Sequence, residues 1–260
     1  MKKIIIANWK MNPSTTKEAE KLFTAVVKSV GRIERTEVVI CAPFVYLEKL
    51  SARGRSALGG KKISLGGQDA FDGDVGPYTG EVSSEMLYNL GARYVILGHS
   101  ERRALGETNE VINRKIKGAL FAGLVPIVCV GEKERDESHG YFNLVKTQVV
   151  ECLNGISKNL ISKIIIAYEP VWSISSTIDR RDATSADSRE MAVFIRKILS
   201  DITSPEIASK TRVIYGGSVT EKDTGDFLEN GGVDGVLPGR ASLDAKKFIE
   251  IVKICEALKN

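Results

Sequence analysis

The sequence predicts an α/β protein with a single domain, residues 1–260, folded as a closed (β/α)8 barrel. The chain has 260 residues, a length that α/β barrels commonly use for one domain. Eight short apolar runs alternate with segments of helical periodicity, which is the rhythm of such a barrel. No linker rich in Pro, Gly or Ser and no low-complexity tract divides the chain. A doubly wound open sheet remains the second fold, because alternation alone does not fix closure.

The predicted strands are short, β-branched and apolar on both faces. This is typical of parallel strands that are covered by helices. In chain order they are Ile4–Ala7, Val38–Cys41, Ser64–Gly66, Tyr94–Leu97, Pro126–Val130, Ile164–Tyr168, Val213–Tyr215 and Gly235–Leu237.

Between the strands, apolar residues recur with the spacing of an amphipathic helix. The first helix is introduced by Thr15 and Glu18, which have the spacing of a capping box. Its apolar face consists of Ala19, Leu22, Phe23, Val26, Val27 and Val30. Later helical segments are predicted at Met86–Leu90, Ile112–Phe121, Leu144–Leu153, Met191–Ile202, Asp223–Leu228 and Phe248–Leu258, and the pattern is weakest at Tyr46–Leu58. These faces predict core packing rather than function.

The charge of the chain favours a small anionic ligand over a nucleic acid. Lysine and arginine together number 37 and aspartate and glutamate 33, which gives a net charge of +4. The charges are interspersed, and no basic patch with interleaved aromatic residues is visible. No apolar run approaches the length of a membrane span.

The cysteines indicate a reducing compartment. Cys41, Cys129, Cys152 and Cys255 are far apart and lack C-x-x-C spacing, so we expect buried free thiols. The apolar run at the N-terminus is too short for a signal peptide. A cytoplasmic protein is therefore expected.

Four polar residues follow predicted strands at the edge where α/β barrels place their chemistry. Glu169 follows the sixth strand, Lys10 and Asn8 the first, and His99 the fourth. Alone, each has an ordinary structural explanation: a carboxylate beside a turn, a solvated lysine, a histidine satisfied by backbone groups. Together, a base, a cation and a histidine that the start of a helix keeps neutral suit proton abstraction beside a carbonyl.

Two glycine-containing loops follow the seventh and eighth strands, where barrels often bind phosphate. Gly216-Gly217-Ser218 and Gly239-Arg240 let backbone N–H groups approach an anion closely. The sequence shows no cluster of metal-ligating residues and no nucleotide-binding motif. A reaction without metal or cofactor is the resulting expectation.

The motifs around these residues resemble those of the triosephosphate isomerase family over essentially the full chain. The matching stretches are Ala7-Asn8-Trp9-Lys10-Met11-Asn12, Gly98-His99-Ser100-Glu101-Arg102-Arg103, Val128-Cys129-Val130-Gly131-Glu132, Tyr168-Glu169-Pro170-Val171-Trp172 and Tyr215-Gly216-Gly217-Ser218-Val219. The resemblance implies a TIM barrel that interconverts dihydroxyacetone phosphate and glyceraldehyde 3-phosphate through an enediolate, in glycolysis and gluconeogenesis.

The resemblance also assigns the catalytic roles. Glu169 would be the base that moves a proton between two carbons, and His99 would act on the oxygens as a neutral ring, a pairing known for this family. Asn8 and Lys10 would stabilise the negative charge that develops. Glu101 would hold Lys10, while Ser100 and Cys129 would lie behind the catalytic groups, Cys129 mainly in packing.

By the same match, Ser218 and the backbone amides of Ser175, Gly217, Gly239 and Arg240 would hold the phosphate of a phosphorylated three-carbon sugar. The family implies a homodimer, in which the loop Gln68–Glu81 reaches the neighbouring site and places Thr79 near Asn8 and Lys10 of the partner subunit. A loop of this length is hard to explain on an isolated barrel.

Two departures from the family pattern are visible. The lid segment Ser173–Asp182 lacks the usual glycines and is about three residues longer, and Arg240 replaces a glycine in the last phosphate loop. One hypothesis is that Arg180, Arg181 or Arg240 contacts the phosphate, since guanidinium groups suit phosphate geometry; the alternative is that all three are solvated. The altered lid keeps open an isomerase of a four-carbon ketose phosphate such as erythrulose phosphate, and a non-catalytic phosphate-binding relative remains a third possibility.

Overall fold

Eight parallel strands form a closed barrel in chain order. The computed structural model describes residues 1–30, 33–58, 63–174 and 181–258, with the side chains of residues 53–58 left out. The strands are β1 Lys3–Asn8, β2 Thr36–Cys41, β3 Ile63–Gly67, β4 Ala92–Leu97, β5 Val125–Val130, β6 Ile165–Tyr168, β7 Arg212–Tyr215 and β8 Gly235–Val236. All eight predicted strands are confirmed, and no boundary differs by more than two residues.

The pairing of the last strand with the first closes the barrel and excludes the doubly wound sheet. Ile4 pairs with Gly235 and Ile5 with Val236. Glycine is required at this seam, because a Cβ on Gly235 would lie 2.0 Å from the backbone oxygen of Ile4.

Helices follow the strands around the outside of the barrel. Within the described residues they are α1 Thr16–Ser29, α2 Phe44–Leu58, α3 Ser84–Asn89, α4 Ser100–Ala104, α5 Asn109–Phe121, α6 Gly140–Cys152, α7 Lys158–Ile161, α8 Ser185–Ile202, α9 Pro205–Lys210, α10 Thr224–Asn230 and α11 Ala245–Ala257. Two short 3-10 helices, Val171–Ser173 and Arg240–Leu243, follow β6 and β8. The predicted helices are confirmed, including the capping box of Thr15 and Glu18; the short α7 and α9 were not predicted.

Alternate residues of the strands build two apolar layers. On β1, Ile4 and Ile6 point into the barrel with Val39 and Ile96, whereas Ile5 and Ala7 belong to the larger core between strands and helices. This alternation follows from the period of two along a strand. All four cysteines are free and buried, as predicted.

The barrel places the strand ends that precede the predicted catalytic residues at one edge. Its elements run from Lys3 to Ala257; the assignment of residues 1–260 to one domain remains a prediction. In the described part of the chain, every helix is too short or too polar to cross a membrane.

Candidate active site

Glu169 follows β6 directly and is 2% exposed. Its backbone N–H donates to the oxygen of Val130 at 2.8 Å, which continues the sheet pairing to this residue. The N–H of Ser100 donates to its Oε2 at 3.0 Å. The other carboxylate oxygen, Oε1, accepts no aligned hydrogen bond within the described residues. A buried carboxylate with one unused oxygen is a group available to a ligand.

His99 forms the N-cap of α4, and its Nδ1 accepts the backbone N–H of Glu101 at 3.2 Å. An accepting Nδ1 carries no proton, so the neutral ring carries its proton on Nε2. That Nε2 lies 3.2 Å from Glu169 Oε1, although the contact is not aligned as a hydrogen bond. The two side chains, which are 70 residues apart in the sequence, therefore meet at one point.

Lys10 has a left-handed backbone, with φ of 51°. This conformation is uncommon for any residue other than glycine, asparagine or aspartate. Its N–H donates to Asn8 Oδ1 at 3.0 Å, and its carbonyl oxygen accepts from Gln68 Nε2 at 2.9 Å. The ammonium group contacts Glu101 Oε1 at 2.6 Å. These contacts hold the Lys10 side chain in one orientation, through its backbone at one end and through its ammonium group at the other.

Cys129, at the end of β5, is adjacent to Glu169. Burial raises the pKa of the Cys129 thiol well above its usual range, and the Glu169 carboxylate raises it further. The thiol is therefore protonated at neutral pH and is a poor nucleophile. A packing role, as the sequence suggests, fits this environment.

The loops after β7 and β8 line a cavity of about 410 Å³ together with Asn8, Lys10 and His99. Gly217, Ser218, Gly239 and Arg240 all contribute to its wall. Side chains larger than hydrogen would not fit at the first of these positions, because a Cβ on Gly217 would lie 2.2 Å from the Tyr215 hydroxyl. The cavity thus brings the predicted cation, histidine and phosphate loops together.

Glu169 itself lies where this cavity adjoins a second, larger one. It lines a groove of about 890 Å³ between α4, α5 and α6, and it is not among the residues that line the 410 Å³ cavity. The bond from Ser100 holds the carboxylate on that side.

The segment after Glu169 is anchored by Glu132, a residue that the sequence analysis did not single out. Glu132 is fully buried, and its Oε1 accepts from the Tyr168 hydroxyl at 2.7 Å and from Trp172 Nε1 at 2.8 Å. Its position directly after β5 is the signal that could have identified it. Gln68, which holds Lys10, was likewise named only as the start of a loop.

The lid residues are only partly described. Ser175 and Arg180 lie outside the described residues. The guanidinium of Arg181 lies 4.3 Å from the centre of the Trp172 ring, and Ser173 Oγ accepts the N–H of Ala183 at 3.2 Å. Arg181 thus packs on the segment behind the base. Of the two described arginines considered for phosphate binding, Arg181 and Arg240, the second lines the cavity.

Thr79 lies at the exposed tip of the loop between β3 and α3. Within this loop the rings of Phe71 and Tyr78 pack with centroids 4.5 Å apart, and Phe71 N–H donates to Val82 at 2.8 Å. The loop is therefore internally braced while its tip projects from the barrel.

Comparison with known proteins agrees with this geometry. Residues 3–255 match the family model described as triosephosphate isomerase. The chain belongs to the triosephosphate isomerase family. It is 44% identical over 256 residues to a triosephosphate isomerase of Dehalococcoides mccartyi, with 97% of both chains covered. It is also 44% identical over 254 residues to that of Dictyoglomus thermophilum, covering 97% of this chain and 99% of the relative.

A solved structure of the family has the same fold. The crystal structure of triosephosphate isomerase from Bartonella henselae superposes with a TM-score of 0.82 at 36% identity, and the match covers 98% of this chain and 99% of that one. Coverage of 97–99% in both directions leaves the barrel without a large inserted or missing element relative to these triosephosphate isomerases.

Proposed function

We propose that this chain interconverts dihydroxyacetone phosphate and glyceraldehyde 3-phosphate by proton transfer through an enediolate. The observation that carries the proposal is the contact of Glu169 with His99 at 3.2 Å beside the cavity that Lys10 lines. A base, a neutral donor and a cation around one cavity form a set that suits proton abstraction next to a carbonyl.

Each side chain has one task in this reaction. The Glu169 carboxylate takes a proton from the carbon next to the carbonyl and returns it to the neighbouring carbon. The Nε2–H of His99 gives its proton to the carbonyl oxygen as negative charge develops there, and the same nitrogen takes up the proton of the neighbouring hydroxyl, so the ring ends neutral. Lys10 and Asn8 stabilise the negative charge in between. A donor that is fixed before the reaction stabilises the transition state without reorganising.

A coupled assay tests the activity. We expect rapid turnover of glyceraldehyde 3-phosphate by the wild type and a steep fall in kcat for Glu169→Asp, because the shortened side chain no longer reaches the carbon. Turnover only of a four-carbon ketose phosphate would replace the proposed substrate, and no turnover of either sugar phosphate would contradict an isomerase.

The phosphate group is proposed to bind to Ser218 and to the backbone N–H groups of Ser175, Gly217, Gly239 and Arg240. The Arg240 side chain adds a charge contact at the wall of the cavity. Arg240→Ala should raise KM and the inhibition constant of inorganic phosphate together, with kcat little changed, since it removes binding common to the ground and transition states. The matched control is Arg181→Ala, whose guanidinium lies over Trp172. Equal inhibition of wild type and Arg240→Ala by phosphate would exclude the side-chain contact.

The functional unit is proposed to be a homodimer in which Thr79 approaches Asn8 and Lys10 of the partner subunit. Exposed apolar side chains support this assembly: Met11, Val45, Val75, Tyr78 and Met86 follow three consecutive strands, β1, β2 and β3, and are 48–93% exposed. A cluster of this kind on one sector of a surface marks an interaction site.

The dimer is tested by sedimentation and activity of Tyr78→Glu. We expect monomers with strongly reduced activity, because the charge prevents the loop from entering the neighbouring subunit. Leu105→Glu, at a position that is 78% exposed outside this sector, serves as control and should remain dimeric. A wild type that is monomeric and fully active would contradict the assembly.

The compartment is proposed to be the cytoplasm, on the basis of four free buried thiols.

A further inference from the structure

The dipeptide Asn-Gly occurs twice in the sequence, at Asn154–Gly155 and at Asn230–Gly231. Before glycine, the asparagine side chain is attacked most easily by the backbone nitrogen of the next residue, because no Cβ hinders the approach. Since the two sites have the same local sequence, the fold decides which of them can react.

At Asn154–Gly155 both reacting groups are accessible. The dipeptide lies in the exposed turn that follows α6, and Gly155 has φ of +69°. Within the described residues, neither the Gly155 N–H nor the Asn154 carboxamide makes a hydrogen bond. The Gly155 N–H and the Asn154 carboxamide are therefore free of direct hydrogen bonds, although the peptide that contains this nitrogen is tethered through the Asn154 oxygen, which accepts from Asn113 Nδ2 at 2.9 Å.

At Asn230–Gly231 both groups are held. Asn230 is the last residue of α10, and its Nδ2 donates to Asp226 Oδ1 at 2.7 Å. The Gly231 N–H donates to the Phe227 oxygen at 2.9 Å, and Gly231 is buried. Reaction here requires the end of α10 to open first.

We propose that Asn154 is a site of spontaneous deamidation in the native protein and that Asn230 is protected. The Gly155 nitrogen forms a bond to Asn154 Cγ, the bond from Cγ to the side-chain nitrogen breaks, and that nitrogen leaves as ammonia with the proton lost by Gly155. Water then opens the resulting succinimide at either carbonyl and yields aspartate or isoaspartate. The reaction consumes one water, releases one ammonia and involves no oxidation.

Deamidation of Asn154 disturbs the turn after α6, which the buried Asn113 holds by hydrogen bonds. The backbone oxygen of Asn154 accepts from Asn113 Nδ2 at 2.9 Å, and the same amide donates to the Cys152 oxygen at 2.8 Å. Isoaspartate lengthens the main chain by one methylene and moves this oxygen away from the buried Asn113. The new carboxylate also lies at the C-terminal end of α6, where the helix dipole disfavours negative charge. Deamidation at this turn therefore lowers stability.

The test is incubation of the native protein at mildly alkaline pH in water enriched in oxygen-18, followed by peptide mass spectrometry. We expect label at residue 154 and at least about tenfold slower labelling at residue 230, because the latter waits for local opening. The chain unfolded in denaturant gives the intrinsic rate of each site, which should be similar. Equal labelling of the two sites in the native protein, or none at residue 154 while the unfolded chain reacts, overturns the proposal.

The effect on stability is tested separately with Asn154→Gln. Aged wild type should lose thermal stability in proportion to the label, whereas the aged variant should keep the stability it had when fresh. Loss of stability at the same rate in both proteins would contradict the role assigned to this turn.

Discussion

At the end of the barrel where the strands begin, charged groups are paired with one another, although the buried Thr36 Oγ1 makes no aligned hydrogen bond among the described residues. The Tyr94 hydroxyl donates to Glu37, whose other carboxylate oxygen accepts from Arg212 at 2.6 Å. These residues belong to β4, β2 and β7. Nearby, the Glu256 carboxylate accepts N–H groups at the start of β2.

At the opposite end, polar groups are left unmatched. Glu169 Oε1 and the Tyr215 hydroxyl are buried and, although His99 and Ser173 face them, make no aligned hydrogen bond within the described residues. Lys10 adopts a left-handed backbone. Buried polar atoms without partners are rare in proteins and call for a reason. We infer that one end of this barrel serves stability, whereas the other leaves polar groups available to a ligand. Substitutions at the two ends test this distinction.

The largest expected effect is that of Glu169→Gln. Loss of the base should lower kcat by about 10³-fold or more, while the thermal unfolding temperature stays equal or rises, because a buried carboxylate is removed. Stopped assays and calorimetry on the same preparation measure both quantities. A variant that is strongly destabilised would mean that Glu169 also serves the fold, against the division between the two ends.

Lys10→Met comes next. The variant keeps the length of the side chain and loses the ammonium, so we expect kcat to fall by roughly 10²-fold as charge stabilisation is lost. Stability should change by less than about 1 kcal/mol, because the ion pair with Glu101 is partly exposed. Denaturant unfolding of wild type and variant provides the comparison, and wild-type kcat in the variant would remove Lys10 from the reaction.

Two tyrosines give a matched pair for stability. Tyr94→Phe should lower the free energy of unfolding by about 1–2 kcal/mol, because it deletes the donor to Glu37. Tyr215→Phe should change it by less than about 0.5 kcal/mol, since its hydroxyl faces Ser173 but makes no aligned hydrogen bond within the described residues. Urea unfolding measures the free energy of unfolding of the two variants. Equal losses of stability would contradict the difference between the two ends of the barrel.

The smallest effect concerns Glu256. Burial alone would raise the pKa of this carboxyl, but hydrogen bonds from the N–H groups of Glu34, Arg35 and Thr36 lower it below its usual value. Its contribution is therefore present above the unfolded pKa of about 4.3 and is lost as pH falls through the lower folded pKa. Glu256→Gln should be less stable than wild type at pH 7, with the difference shrinking below about pH 4. A difference that is constant with pH would exclude this linkage.

Much of the fold was predictable because one sequence pattern, a short apolar run followed by a segment of helical periodicity, recurs along the chain. Apolar runs such as Ile4–Ala7 and Val38–Cys41 read as strands on their own, and their number and spacing gave the architecture. The short α7 and α9 were missed because four to six residues carry too little periodicity to detect. Closure depended on a contact between Ile4 and Gly235 that no local pattern encodes.

For the site, the residues could be predicted from the sequence, but their hydrogen-bond partners and the tautomer of His99 could not. Glu169, His99 and Lys10 were identifiable from their positions after strands. That Glu169 rests on the Ser100 amide, and that His99 accepts at Nδ1, depends on backbone geometry at the start of α4. Glu132 was overlooked because its role appears only when Tyr168 and Trp172 are brought around it.

The left-handed backbone of Lys10 has an evolutionary consequence. Strain of this kind costs on the order of 1 kcal/mol and persists where the surrounding structure enforces it. Asparagine tolerates the conformation better, so Lys10→Asn should give a protein that is more stable and nearly inactive. Folding alone would select against the lysine at this position. Under the role proposed for Lys10, selection for turnover maintains the lysine at the expense of thermal stability.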